Sequence, residues 1–195
     1  AALFELARAE SAGLPPQRQR QAALLYRQLG EPRRALALLR RLLDTTPADA
    51  QLLLDQVDAA RDAGERALAF DSLARALALA KGSDERHKVA MQYQALGENA
   101  AALAQLVVLT RERPRDAKLA LDAGVCEFLA GSATAAESEL HRAIDLDASL
   151  IPAYLSLGAV LSGQGRNREA AAVYAAGLAA GGADDAGLRE KLELA

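Results

Sequence analysis

The sequence predicts an all-α fold, an α-solenoid of stacked antiparallel helix pairs, on three observations. Gly30, Gly64, Gly97, Gly131 and Gly165 recur at intervals of 34, 33, 34 and 34 residues. Ala35, Ala69, Ala102, Ala136 and Ala170 keep the same intervals, so two residue types mark one period. A period of this length belongs to arrays of stacked supersecondary units. The third observation is composition: 51% of the residues are hydrophobic but only 4% are aromatic, and Trp is absent. The core is therefore built mainly from Ala and Leu, which are strong helix formers.

Phe4 and Ala7 fit the bulky and small places of a second helix from a preceding repeat, over residues 1–15. Five repeats follow over 16–49, 50–82, 83–116, 117–150 and 151–184. First helices are expected over 17–29, 48–63, 84–96, 117–130 and 150–164, and second helices over 32–44, 66–80, 99–113, 134–146 and 168–180. Residues 185–195 open a further first helix or a polar cap bearing Arg189, Glu190, Lys191 and Glu193. The chain thus starts and stops within a repeat, which reads as a piece of a longer array.

Each glycine closes a first helix, where a residue without Cβ adopts a left-handed cap at least cost. Each alanine lies one turn into the second helix, where two backbones cross closely. Four residues on comes Leu39, Leu73, Leu106, Leu140 or Tyr174, and three further Leu42, Ala76, Leu109, Ala143 or Gly177, which completes an apolar stripe. Pro16, Pro32 and Pro152 fit helix first turns, and Pro15, Pro47 and Pro114 fit exits. The single 33-residue interval is explained by a lost loop residue at Ala80-Lys81-Gly82-Ser83, with Ser83 expected as N-cap of a helix opening at Asp84.

Net charge is −3, unevenly spread. Residues 16–49 hold seven arginines against Glu31, Asp44 and Asp49; residues 117–184 hold four cations against eight acids. Such a gradient can steer a charged partner. Nucleic acid is not expected as a partner, because the pI is near 5.5 and aromatic platforms for bases are lacking. Nor is direct membrane insertion: the uncharged stretch Ala148–Gly165 contains Pro152, Ser156, Gly158, Ser162 and Gly163 and coincides with one helix of the repeat.

No catalytic, cofactor or metal site is expected. The histidines, His87 and His141, have no ligand spacing, and one cysteine, Cys126, forms no intrachain disulfide. Cys126 takes an inward small-residue place and His141 an outer helix, so a nucleophilic dyad is not expected. Glu137 and Glu139, or Asp145 and Asp147, stand two apart and diverge on a helix.

These residues resemble the tetratricopeptide repeat (TPR) family. Ala23, Ala90, Gly124 and Gly158 fill its small eighth place, Tyr26 and Tyr93 its aromatic eleventh, and Pro47 and Pro114 its final proline; Val57, Ala60 and Lys81 make the second repeat the poorest match. The family's early tryptophan is missing, with Tyr154 the nearest stand-in. The resemblance implies a right-handed superhelix of about 12 helices, a single solenoid over 1–195, whose first helices line a concave wall. It places the following residues on that wall: Arg20, Leu24 and Arg27; Leu54, Asp58, Arg61 and Asp62; His87, Met91 and Gln94; Lys118, Leu121, Val125, Phe128 and Leu129; Leu155, Ala159 and Ser162. The first three repeats offer a charged wall and the last two an apolar one, which together imply capture of another protein, as a peptide segment or an enzyme domain. The chaperone-tail carboxylate clamp of the family is absent: Leu24 and Asp55 stand where it needs asparagines.

The ratio of 19 arginines to 4 lysines and the abundant alanine resemble proteins of GC-rich bacteria. There, TPR arrays are familiar in the periplasmic parts of exopolysaccharide export proteins of the PelB type. That resemblance implies a periplasmic platform in biofilm formation that docks a polysaccharide-modifying enzyme. The alternatives are a substrate-recognition arm of a larger enzyme such as a glycosyltransferase, or a self-associating spacer.

Overall fold

The computed structural model describes residues 13–182 and 185–194, and all regular structure among them is helical. The expected helix carrying Phe4 and Ala7 lies outside the described residues. First helices are α1 (Pro16–Gln28), α3 (Ala50–Asp62), α5 (Ser83–Ala95), α7 (Ala117–Leu129) and α9 (Ile151–Gly163). Second helices are α2 (Pro32–Thr45), α4 (Arg66–Leu79), α6 (Asn99–Glu112), α8 (Ala133–Leu146) and α10 (Asn167–Gly177). A π-helical turn, Leu178–Gly182, and α11 (Ala186–Leu194) follow.

Every first helix has 13 residues, and the second helices from α2 to α8 have 14. What makes this so regular is the turn. The five period-marking glycines have φ of +76°, +76°, +83°, +87° and +76°. Each donates its N–H three residues back, as Gly30 does to Arg27 O at 3.0 Å, and the next residue reaches five back, as Glu31 does to Tyr26 O at 2.8 Å. The same two bonds recur at Gly64, Gly97, Gly131 and Gly165. This is the Schellman arrangement, which satisfies carbonyls that a helix end leaves open. The residue after each of these glycines, such as Glu31 or Ser132, is already the N-cap of the next helix, so three residues reverse the chain.

The connections between repeats differ. Residues 46–49, 113–116 and 147–150 span four positions, and 80–82 spans three. The short interval is thus a loop deletion that leaves both flanking helices whole. Most helix ends fall within one residue of expectation, and three departures stand out. Helix α3 starts at Ala50 rather than 48, because the Asp49 carboxylate accepts from Leu52 N at 2.6 Å and caps it. Helix α5 includes Ser83, expected as its cap. The second helix of the last repeat ends at Gly177 rather than 180: the chain passes into the π turn, where Gly181 has φ of +120°.

The chain divides into two compact units, residues 1–92 and 93–195. Within the first, α1 pairs with α2 and α3 with α4, and α2 packs on α3. Its core is Ala23, Tyr26, Ala35, Leu39, Leu53, Val57, Ala60, Ala69 and Leu73, all with 0% exposure. Within the second, α7 pairs with α8 and α9 with α10, while α6 packs on α7, α8 on α9 and α11 on α10. Ala136, Leu140, Leu157, Ala170, Tyr174 and Leu188 belong to one hydrophobic core cluster there. The period-marking alanines are fully buried throughout. At the eighth place, a Cβ on Gly124 would lie 2.7 Å from Leu140 Cγ, and one on Gly158 only 2.1 Å from Tyr174 Cε1. No helix among the described residues is long and apolar enough to cross a membrane; Ala148–Gly165 holds α9, with Ala153, Tyr154, Leu157, Val160 and Leu161 buried.

Candidate partner-binding face

In the first unit, α1, α3 and α5 set the expected charged wall residues one repeat apart, and they find each other. Arg20 Nε donates to Asp55 Oδ2. Arg27 donates from Nε to Asp62 at 2.8 Å and from Nη1 to Asp58 at 3.0 Å. Arg61 reaches Asp58 Oδ1 at 3.0 Å and Gln92 Oε1 at 3.0 Å, and Gln92 Nε2 donates to Asp58 Oδ1 at 2.8 Å. Lys88 Nζ donates to Gln51 Oε1 at 2.9 Å. The result is a polar ladder across three first helices.

The chemistry of the ladder follows from this pairing. The hydrogen bond and charge of Asp55, against some burial, hold the Arg20 guanidinium above its ordinary value. Burial alone would lower Arg27, but its bonds to Asp62 and Asp58 and their charges more than reverse that. Side-chain exposures of 21% for Arg27 and 24% for Asp58 leave a partner little of either group. Leu54, expected on the wall, is 4% exposed and belongs to the core, because the helix-pair interface reaches farther around α3 than around its counterparts. His87 and Met91 are half-buried on α5. Asp55, Gln51, Lys88 and Gln92 complete the ladder, although position in the repeat did not single them out. Their signal was present, since complementary side chains stand 31 to 37 residues apart.

The second unit presents a different face. Gln94 is half-buried near the end of α5. Along α7, Lys118 is exposed and Leu121 and Val125 are half-buried, while Phe128 is 36% exposed and Leu129 54% exposed. Leu155 on α9 is half-buried and, like Leu121, packs on the apolar core. The Phe128 ring lies over Gly163, whose Cβ, if added, would stand 3.7 Å from Cζ. A rigid aromatic ring thus rests at the end of α9 with one side toward solvent. Ala159 and Ser162 continue this face, and with Tyr174, Lys191 and Leu194 they line a cavity of about 310 Å³.

Cys126 is buried, and its thiol is pushed up to about 11 by burial first, then by the charges of Asp122 and Glu127. At neutral pH it is a packed thiol rather than a nucleophile. His141 is exposed on α8. Among the described residues no group of three His, Cys, Asp or Glu side chains could hold a metal ion.

Neither a protein-family model nor a curated protein matches the chain. Solved structures do. The C-terminal part of a TPR repeat-containing protein from Cytophaga hutchinsonii superposes with a TM-score of 0.72 at 15% identity, over 97% of this chain and 77% of that one. MamA from Desulfovibrio magneticus gives 0.69 at 17% identity, covering 88% and 97% of the two chains. A thermophilic TPR protein of Thermus thermophilus gives 0.64 at 24% identity, covering 92% and 98%. The helix pairs of this chain therefore have the TPR fold.

Proposed function

We propose that this chain is a non-catalytic scaffold that docks another protein, with the face of α7 and α9 as its contact surface. The observation that carries the reading is the pairing of exposed Phe128 and Leu129 with half-buried Leu121, Val125 and Leu155 on two first helices of one unit. Aromatic anchors on preorganised surfaces are where binding energy concentrates, and burying Phe128 contributes about 2 kcal/mol. The fold shared with TPR proteins supports the same reading. In the first unit, Arg20, Arg27, Asp58 and Arg61 serve the stack first and a partner second.

The finer assignment is a periplasmic platform of an exopolysaccharide export system of the PelB type, docking a polysaccharide-modifying enzyme. It is supported by the arginine-over-lysine and alanine-rich composition. Affinity capture from the native organism tests both levels. Phe128→Ala combined with Leu155→Ala is expected to release the captured protein, weakening binding by roughly tenfold or more while helicity persists. Undiminished binding overturns the docking face. A partner set lacking any envelope or polysaccharide enzyme overturns the export assignment.

A further inference from the structure

The turn between α6 and α7 gathers charge that the apolar face lacks. Arg113, Pro114, Arg115, Asp116, Lys118 and Leu146 line an open cavity of about 730 Å³, together with Ala117 and Asp147. Both carboxylates in it are committed locally. Asp116 Oδ1 accepts from Lys118 N at 3.1 Å and Leu119 N at 3.2 Å as the N-cap of α7, and its other oxygen lies 3.6 Å from Arg113. Asp147 Oδ1 accepts from Ser149 N at 2.9 Å and Ser149 Oγ at 2.7 Å. Those two bonds, and after them the charge of Lys118, hold the Asp147 carboxyl below its ordinary value. Arg115 and Lys118 are both exposed, and neither side chain makes a hydrogen bond or a close ion pair to another described residue.

Lys118 also begins the apolar face. Lys118, Leu121, Val125 and Phe128 are spaced by three, four and three residues, which puts them on one side of α7. Ten residues of helix span about 15 Å. One helix therefore carries positive charge at its first turn and an exposed aromatic ring at its last. The wall positions of α9, Pro152, Leu155, Ala159, Ser162 and Gly163, carry no charge.

We propose that this face receives a peptide segment in one direction, with an acidic end over Arg115 and Lys118 and apolar side chains along Leu121, Val125 and Phe128. The inference rests on the docking reading and narrows the partner to an acidic and apolar segment. Cations fix the end at which it starts, and the ring fixes the depth at which it seats; charge complementarity gives register and encounter rate. A basic segment meets two like charges there and is rejected.

The test is selection of short random peptides displayed on phage against the whole chain. A consensus with Asp or Glu at one end and large apolar residues following is expected. A fluorescein-labelled peptide of that consensus should lose about tenfold in affinity to Arg115→Glu with Lys118→Glu, and similarly to Phe128→Ala, by anisotropy. Replacing its acids by Lys should restore binding to the charge-reversed variant. Basic or uncharged consensus sequences, no consensus, or failure of that rescue overturns the inference. If those failures occur while the native partner still depends on Phe128, the docking reading stands alone; if the native partner ignores Phe128 as well, both fall.

Discussion

Two kinds of glycine are set apart by what each lacks room for. At Gly131 an added Cβ would meet nothing within 4 Å, yet φ is +87°, so only the backbone conformation demands glycine. At Gly158 the backbone is helical and the obstacle is the Tyr174 ring at 2.1 Å. Gly131→Ala is expected to cost about 1–2 kcal/mol from the left-handed strain, and Gly131→Asn less, since Asn tolerates that region. Gly158→Ala is expected to cost about 1–3 kcal/mol by overpacking, and Gly158→Ala with Tyr174→Phe should recover none of it, because the clash is with ring carbons. Urea unfolding of the variants checks the ranking. Both roles were legible in the sequence, one from the period and the other from the small eighth place.

At the scale of the element, the five hairpins are one device repeated, but two different materials hold their first helices side by side. In α1, α3 and α5 the material is charge; in α7 and α9 it is aliphatic and aromatic carbon. Arg27→Ala is expected to lower stability by about 1 kcal/mol, since two half-exposed carboxylates lose their partner. High salt should shrink that difference, and chemical denaturation at two salt concentrations measures it. An equal loss at both would assign the effect to packing of the arginine stem instead. Helix boundaries were legible to within about two residues, and the exceptions have causes. Pro47 marked an exit, but the true start of α3 waits for the Asp49 cap. The π turn after Gly177, with Gly181 at positive φ, gives α10 an early end that an alanine-rich pattern conceals. It was the resemblance that set Arg20 and Asp58 on one wall, whereas their pairing depends on side-chain reach, which a sequence read one repeat at a time does not display.

For the whole molecule, the packing of helices on their chain neighbours makes stability a sum of local terms. A lesion should then be felt nearby. Gly158→Ala is expected to speed amide exchange in α9 and α10 well beyond any change in α1 and α2, as hydrogen exchange with mass spectrometry can read. Uniform acceleration everywhere would mean a single cooperative domain. The stacked architecture was legible from the outset because Gly and Ala kept time together. The division into two compact units was not, since the period runs through residue 92 without interruption.

The three-residue connection at 80–82 has a practical corollary. One residue fewer at this joint leaves α4 and α5 at full length, so it tolerates edits that the glycine-locked reversals within each hairpin would not. An epitope tag or fluorophore grafted at Gly82 should leave every helix intact, giving a reporter position in a loop that no hairpin depends on.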